Sequence, residues 1–92
     1  MKIDELEPNS ALKNLVVSID SLELPQDAGE SKIQEGIVSD DTGQVRISLW
    51  NDQVDKFKEG DKVLITTGWC KEFKEELQIS SGKFGEIKLV PK

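Results

Sequence analysis

The sequence predicts an all-β fold: one small five-stranded Greek-key barrel with a short helix between the third and fourth strands. Three observations carry this. Ninety-two residues are enough for a single domain with a modest core. The apolar residues recur mostly with a period of two, the signature of half-buried strands. Clusters of Gly, Pro, Asn and Asp separate these runs.

The elements follow in order. Met1 to Ser10 is turn-like as far as Pro8. Leu15 to Asp20 is the first strand, with Leu15, Val17 and Ile19 on one face. Leu24 to Glu30 reads as a loop, because Pro25 fixes φ and Gly29 frees it. Lys32 to Ser39 is the second strand; Ile33 and Ile37 are its core candidates, and Gly36 marks a bend or a close approach. Asp40-Asp41-Thr42-Gly43 is a turn, with Asp capping the amides and Gly43 in the left-handed region. Gln44 to Trp50 alternates cleanly: Val45, Ile47 and Leu49 face inward, Arg46, Ser48 and Trp50 outward. Asn51 to Lys58 is a short helix or turn, with Asn51 as its N-cap and Val54 and Phe57 plugging the core; Gly60 ends it. Val63 to Thr67 and Leu77 to Ser80 are the fourth and fifth strands, and Phe84 to Val90 is a weaker last extension. The order β-β-β-α-β-β in one domain spanning residues 1–92 is that of an OB-fold; an SH3-like barrel is the runner-up.

Composition narrows the chemistry. The chain has no His and a single Cys, Cys70. An internal disulfide, a His/Cys zinc site and His-based catalysis are therefore out. Asp40-Asp41 and Glu75-Glu76 are adjacent carboxylates of the kind turns leave in water. Neither a nucleophile nor a phosphate-binding Gly loop accompanies them. No catalytic residue, metal or cofactor is expected. No apolar run reaches the 18 or so residues of a membrane span, and MKIDELEPNS lacks the apolar core of a signal peptide, so no membrane partner is expected. An intracellular location follows as the expectation. The net charge of −6 is uneven. Residues 1–41 carry ten acids and three lysines, whereas residues 42–92 carry eight acids and nine bases. Composition alone thus argues for solubility and against a basic nucleic-acid footprint.

Four aromatics remain once the core is filled: Trp50, Trp69, Phe73 and Phe84. Trp50 shares its outer face with Arg46 and Ser48, an aromatic beside a cation; it either stacks a ligand or covers the helix junction. Strict alternation from Val63 turns Trp69 inward. An outward Trp69 needs a register change, which a bulge at Thr67-Gly68 could supply. Phe73 lies in the next loop, flanked by Lys71 and Lys74; it either anchors the loop or joins Trp69. Basic residues interleaved with aromatics are common at single-strand sites, but Glu72, Glu75 and Glu76 interrupt the pattern. Cys70 reads as a small strand filler.

Leu12-Lys13-Asn14-Leu15, Val38 through Trp50, Glu59-Gly60-Asp61-Lys62-Val63 and Gly68-Trp69-(x)3-Phe73-Lys74 together resemble the single-OB ssDNA-binding proteins of archaea. Their eukaryotic sensor-of-ssDNA relatives and the OB-folds of archaeal replication protein A belong to the same group. The resemblance implies base stacking on Trp50, Trp69 and Phe73 and an outward turn at Gly68. It also implies basic contacts at Arg46 and Lys74, with Lys71 and Ser48 beside them, and a role in DNA replication or repair. The chain departs from the family pattern at Glu75, where members commonly carry Gly, and near Ser80, where some carry an aromatic. It also lacks the flexible tail common in the family, so a monomer and one domain of a larger chain both stay open. RNA as ligand and docking of a replication or repair protein are the alternatives to ssDNA.

Overall fold

The computed structural model describes residues 1–81 and 85–91. Its strands are β1 (Ser10–Leu22), β2 (Gln26–Ala28), β3 (Ser31–Asp40), β4 (Gly43–Trp50), β5 (Lys62–Phe73), β6 (Glu76–Ser80) and β7 (Ile87–Leu89). They run β1-β3-β4-β6-β5, and β1 pairs with β5 to close the ring. β4 and β6 are parallel and the other pairs antiparallel. β2 folds back on β3, and β7 extends the sheet beside β5. This is the expected five-stranded OB barrel. Phe84 lies outside the described residues.

The helix expected over 51–58 is reduced to one 3-10 turn, Asn51–Gln53. Asn51 and Asp55 both take positive φ, 50° and 60°, which no helix propagates. Trp50, not Asn51, is the capping residue; its N–H donates to Gln53 Oε1 at 3.2 Å. A run this short and this rich in Asp and Asn has too little to gain from helix nucleation. Phe57 is still buried in this connection, whereas Val54 is only half-buried.

The core holds Leu15, Val17 and Ile19 of β1, Val45, Ile47 and Leu49 of β4, and Val63 and Ile65 of β5, as alternation requires. β3 is inverted relative to expectation. Gln34, Gly36 and Val38 face inward, and Ile33 and Ile37 lie on the outer face, half-buried. The register explains this: Gln34, Gly36 and Val38 stand opposite Leu49, Ile47 and Val45, so they share that inward face. Gln34 survives burial because its amide is used at both ends. Nε2 donates to the Glu23 carbonyl at 3.0 Å, and Oε1 accepts from the Asp55 N–H at 3.1 Å. Gly36 is a close approach: a Cβ there would lie 2.5 Å from the Ser21 carbonyl oxygen.

One feature of the N-terminal part went unforeseen. Ile3 and Leu6 join the core from a 3-10 turn, Ile3–Glu5, packed on the β3–β4 connection. Asp40 ties the two together. Its carboxylate accepts from the N–H groups of Ile3 (2.8 Å), Thr42 (2.7 Å) and Gly43 (3.2 Å). Burial raises the pKa of this carboxyl, but the bonds from the Thr42 hydroxyl and the three amides outweigh that and hold it below the usual 3.8. Gly43 does not adopt positive φ; the turn is held by these bonds instead.

Candidate nucleic-acid interface

The outer face of β3-β4-β6-β5 is organised in rows by the ladder. Glu35 stands opposite Ser48, Ser48 beside Ser80, and Ser80 opposite Trp69. The next row is Ile37, Arg46, Gln78 and Lys71. Trp50 closes the end of β4 opposite Ile33, and Phe73 closes β5 opposite Glu76. Two small serines thus lie between flanking aromatics, and small residues between large ones make a groove. Its volume is about 380 Å³, and Trp50, Trp69, Phe73, Ser48 and Lys71 all line it, with Ile33, Glu35, Gln78 and Ser80. A second cavity of about 340 Å³ continues from it past Glu35, Phe73 and Gln78 to Arg46 and Lys74. The seven residues expected at the site therefore fall on one continuous surface.

The aromatics are spare in the sense a ligand site requires. Trp50 is 42% exposed, Trp69 48% and Phe73 63%. Trp69 and Phe73 project from one face of β5, with Lys71 between them. Their spacing of four, which looks helical, is two strand periods. Phe73 is the last residue of the strand and not part of a loop. The outward turn of Trp69 has a different origin from the expected bulge. The register of β1 on β5 is unchanged across Gly68: Leu12 stands opposite Gly68, Lys13 opposite Thr67, and Leu15 opposite Ile65. The faces switch earlier, in both strands together. β1 buries Leu12 and then Leu15, with Lys13 and Asn14 both exposed and Asn14 at φ 53°. β5 buries Ile65 and next Cys70, so Thr67 and Trp69 turn outward. Gly68 has another task. A Cβ there would collide with the Ser80 carbonyl, so glycine lets β6 approach beneath Trp69. Cys70 is fully buried, and burial pushes its thiol pKa up, as befits a strand filler.

The charges are mixed. Arg46 lies on the expected face, but its Nη2 is held by Glu35 at 2.8 Å and Glu23 at 3.1 Å. The Glu35 hydrogen bond raises the guanidinium pKa further, so Arg46 is a fixed cation already matched by two carboxylates. Lys74 sits over the Phe73 ring, 5.4 Å from its centroid. Among the described residues Lys71 makes no ion pair. Ser48 is buried, and its Oγ accepts a hydrogen bond from Gln78 Nε2. The β5–β6 hairpin turns through Lys74 and Glu75, both at positive φ, 52° and 67°. That is the two-residue geometry in which Asn and Gly are preferred, so Glu75 stands where Gly would fit at less cost. Ile33, Glu35, Gln78 and Ser80 were missed as groove residues. The signal for Ile33 and Glu35 was their alternation with Gly36 and Val38. The apparent core value of two isoleucines concealed it.

The model of the single-stranded DNA binding protein Ssb-like OB fold matches residues 6–89. The chain belongs to this family. The single-stranded DNA binding protein Ssb of Saccharolobus solfataricus is 32% identical over 90 residues, which is 94% of this chain and 61% of that protein. The Ssb-like domain thus spans less than two thirds of that relative's length. Among solved structures, a domain of replication protein A from Methanococcus maripaludis matches with a TM-score of 0.83 and 26% identity. That match covers the whole of this chain and 96% of the other. A replication factor A related protein from Methanobacterium thermoautotrophicum shares the fold, with a TM-score of 0.81 at 20% identity over 98% of this chain and 89% of the other.

Proposed function

We propose that this Ssb-like domain binds single-stranded DNA without strong sequence preference, as a non-catalytic module of DNA replication or repair. The observation that carries the reading is the convergence of Trp50, Trp69 and Phe73 on one open groove, none of them buried in the core. Base–aromatic stacking is worth about 1–3 kcal/mol per base. Three platforms supply several kcal/mol before ordering costs, enough to hold a strand in a protein of net charge −6. Lys71 and Lys74 are placed to meet phosphates, whereas Arg46 would first have to leave its two carboxylates. The salt dependence should therefore be shallow, with a log–log slope of about −1 to −1.5 for two neutralised phosphates.

The test is a titration of oligo-dT against tryptophan emission at low salt, with the matched RNA oligomer alongside. Quenching that saturates at micromolar protein supports the reading, and its absence refutes it. RNA binding equal to that of DNA would remove the DNA preference while keeping the stacking mechanism. The acidic excess of residues 1–41 favours a second reading, docking of a basic protein segment on this N-terminal part. Partner binding that survives loss of all three aromatics, with no ssDNA binding, would establish that reading instead.

A further inference from the structure

We infer that Glu35 gives the groove a base preference: it favours bases that carry an exocyclic amino group over thymine and uracil. The inference rests on the proposed binding of single strands. Glu35 stands in the same row as Trp69, separated from it by Ser48 and Ser80, and it lines both cavities of the interface. It is the one carboxylate common to the two cavity walls, and the aromatics would lay base edges toward this serine floor. Arg46 Nη2 holds Oε2 at 2.8 Å, which orients the group. Among the described residues Oε1 accepts no hydrogen bond.

An ionised carboxylate can only accept. Cytosine N4, adenine N6 and guanine N2 offer it N–H donors, and Glu accepting from cytosine N4 is an established pairing of side chain and base. Thymine and uracil present carbonyl oxygens at the equivalent edge, which face the carboxylate as like partial charges. One of the two Gln78 amide N–H groups is engaged by Ser48 Oγ; the other, the serine hydroxyls and Lys71 can each turn to a base carbonyl, which cytosine offers as thymine does, whereas only Glu35 meets the amino group that thymine lacks. Stacking alone would leave the groove indifferent to base identity, so the preference belongs to the free oxygen of Glu35.

The experiment compares oligo-dC with oligo-dT of equal length, by fluorescence titration at neutral pH, for the wild-type chain, Glu35→Gln and Glu23→Gln. Two pyrimidines of similar stacking area isolate the edge. The wild type should bind oligo-dC roughly three- to tenfold more tightly than oligo-dT, the scale of one net hydrogen bond. Glu35→Gln should bring the ratio close to one, since an amide both donates and accepts. Glu23→Gln removes an equal charge beside Arg46 without touching the groove wall. It should shift both affinities alike and preserve the ratio. Equal binding of the two oligomers by the wild type, or a ratio that survives Glu35→Gln, overturns the inference while leaving the stacking groove intact. A fall in the ratio in both variants alike would assign the effect to net charge and overturn it too. Binding of neither oligomer overturns the single-strand reading itself, and this inference with it.

Discussion

Replacing Glu75 with glycine should stabilise the domain, although the change removes a side chain from the hairpin tip. Lys74 and Glu75 form the two-residue tip of the β5–β6 hairpin at φ 52° and 67°. A residue with a Cβ in the left-handed region costs roughly 1–2 kcal/mol. Glycine removes that cost at position 75 but loses about 0.5–1 kcal/mol more backbone entropy on folding. The balance is a gain of about 0.5–1 kcal/mol, a rise in Tm of about 2–8 °C for a domain of this size. Thermal melting followed by tryptophan emission or circular dichroism reads it directly. Glu75→Gln separates backbone from charge: it removes the same negative charge, keeps the Cβ, and should leave Tm almost unchanged. Equal stabilisation by Gln and Gly would refute the backbone argument and assign the effect to charge. An unchanged or lower Tm for the glycine variant would refute the left-handed turn itself.

Trp69→Ala and Phe73→Ala should each weaken oligo-dT binding by about 1–3 kcal/mol, read by fluorescence anisotropy of a labelled strand. Both should leave Tm within a few degrees, because both residues are already exposed, Trp69 by 48% and Phe73 by 63%. A collapse of Tm in both would make them core residues. Gly68→Ala should cost on the order of 2 kcal/mol in urea denaturation, since the new methyl meets the Ser80 carbonyl; a neutral result would show that β6 can shift without loss. Asp40 titrates lower in the folded chain than its usual 3.8, so its contribution is fully present above that value and is lost as pH falls through the folded pKa. The Tm deficit of Asp40→Asn should therefore be largest at neutral pH and shrink in acid below pH 3.8 or so. A deficit independent of pH would show that the ionised form is not what matters.

The barrel was legible because Gln44 to Trp50 alternates without a fault and its inward face sets the register of its neighbours. The outward face of Trp50 was legible for the same reason, whereas Phe73 read as a loop residue. Trp69 was legible only through family resemblance. The face switch that turns it outward is shared between Asn14 on one strand and Thr66-Thr67 on another, and no single run of sequence contains both. β3 misled because two isoleucines look like core, whereas Gln34 owes its place inside to partners 11 and 21 residues away. The N-terminal plug was hidden likewise: Ile3 is ordinary until Asp40, 37 residues on, fixes its amide. The helix was over-read because its polar residues suit a cap as well as a turn, and positive φ at Asn51 decided the matter.

The placement of Trp69 and Phe73 on one strand face also limits how they can share a ligand. Four residues of extended chain separate their Cα atoms by about 13 Å. A base clasped between two rings needs them roughly 7–8 Å apart, two contact distances. The hairpin is therefore a ladder and not a vice. Each ring can take a different nucleotide and cover one side of it, leaving the other side open to an adjacent base. A strand held this way keeps part of its own stacking while bound, so it gives up less order to enter the groove than one prised apart base by base.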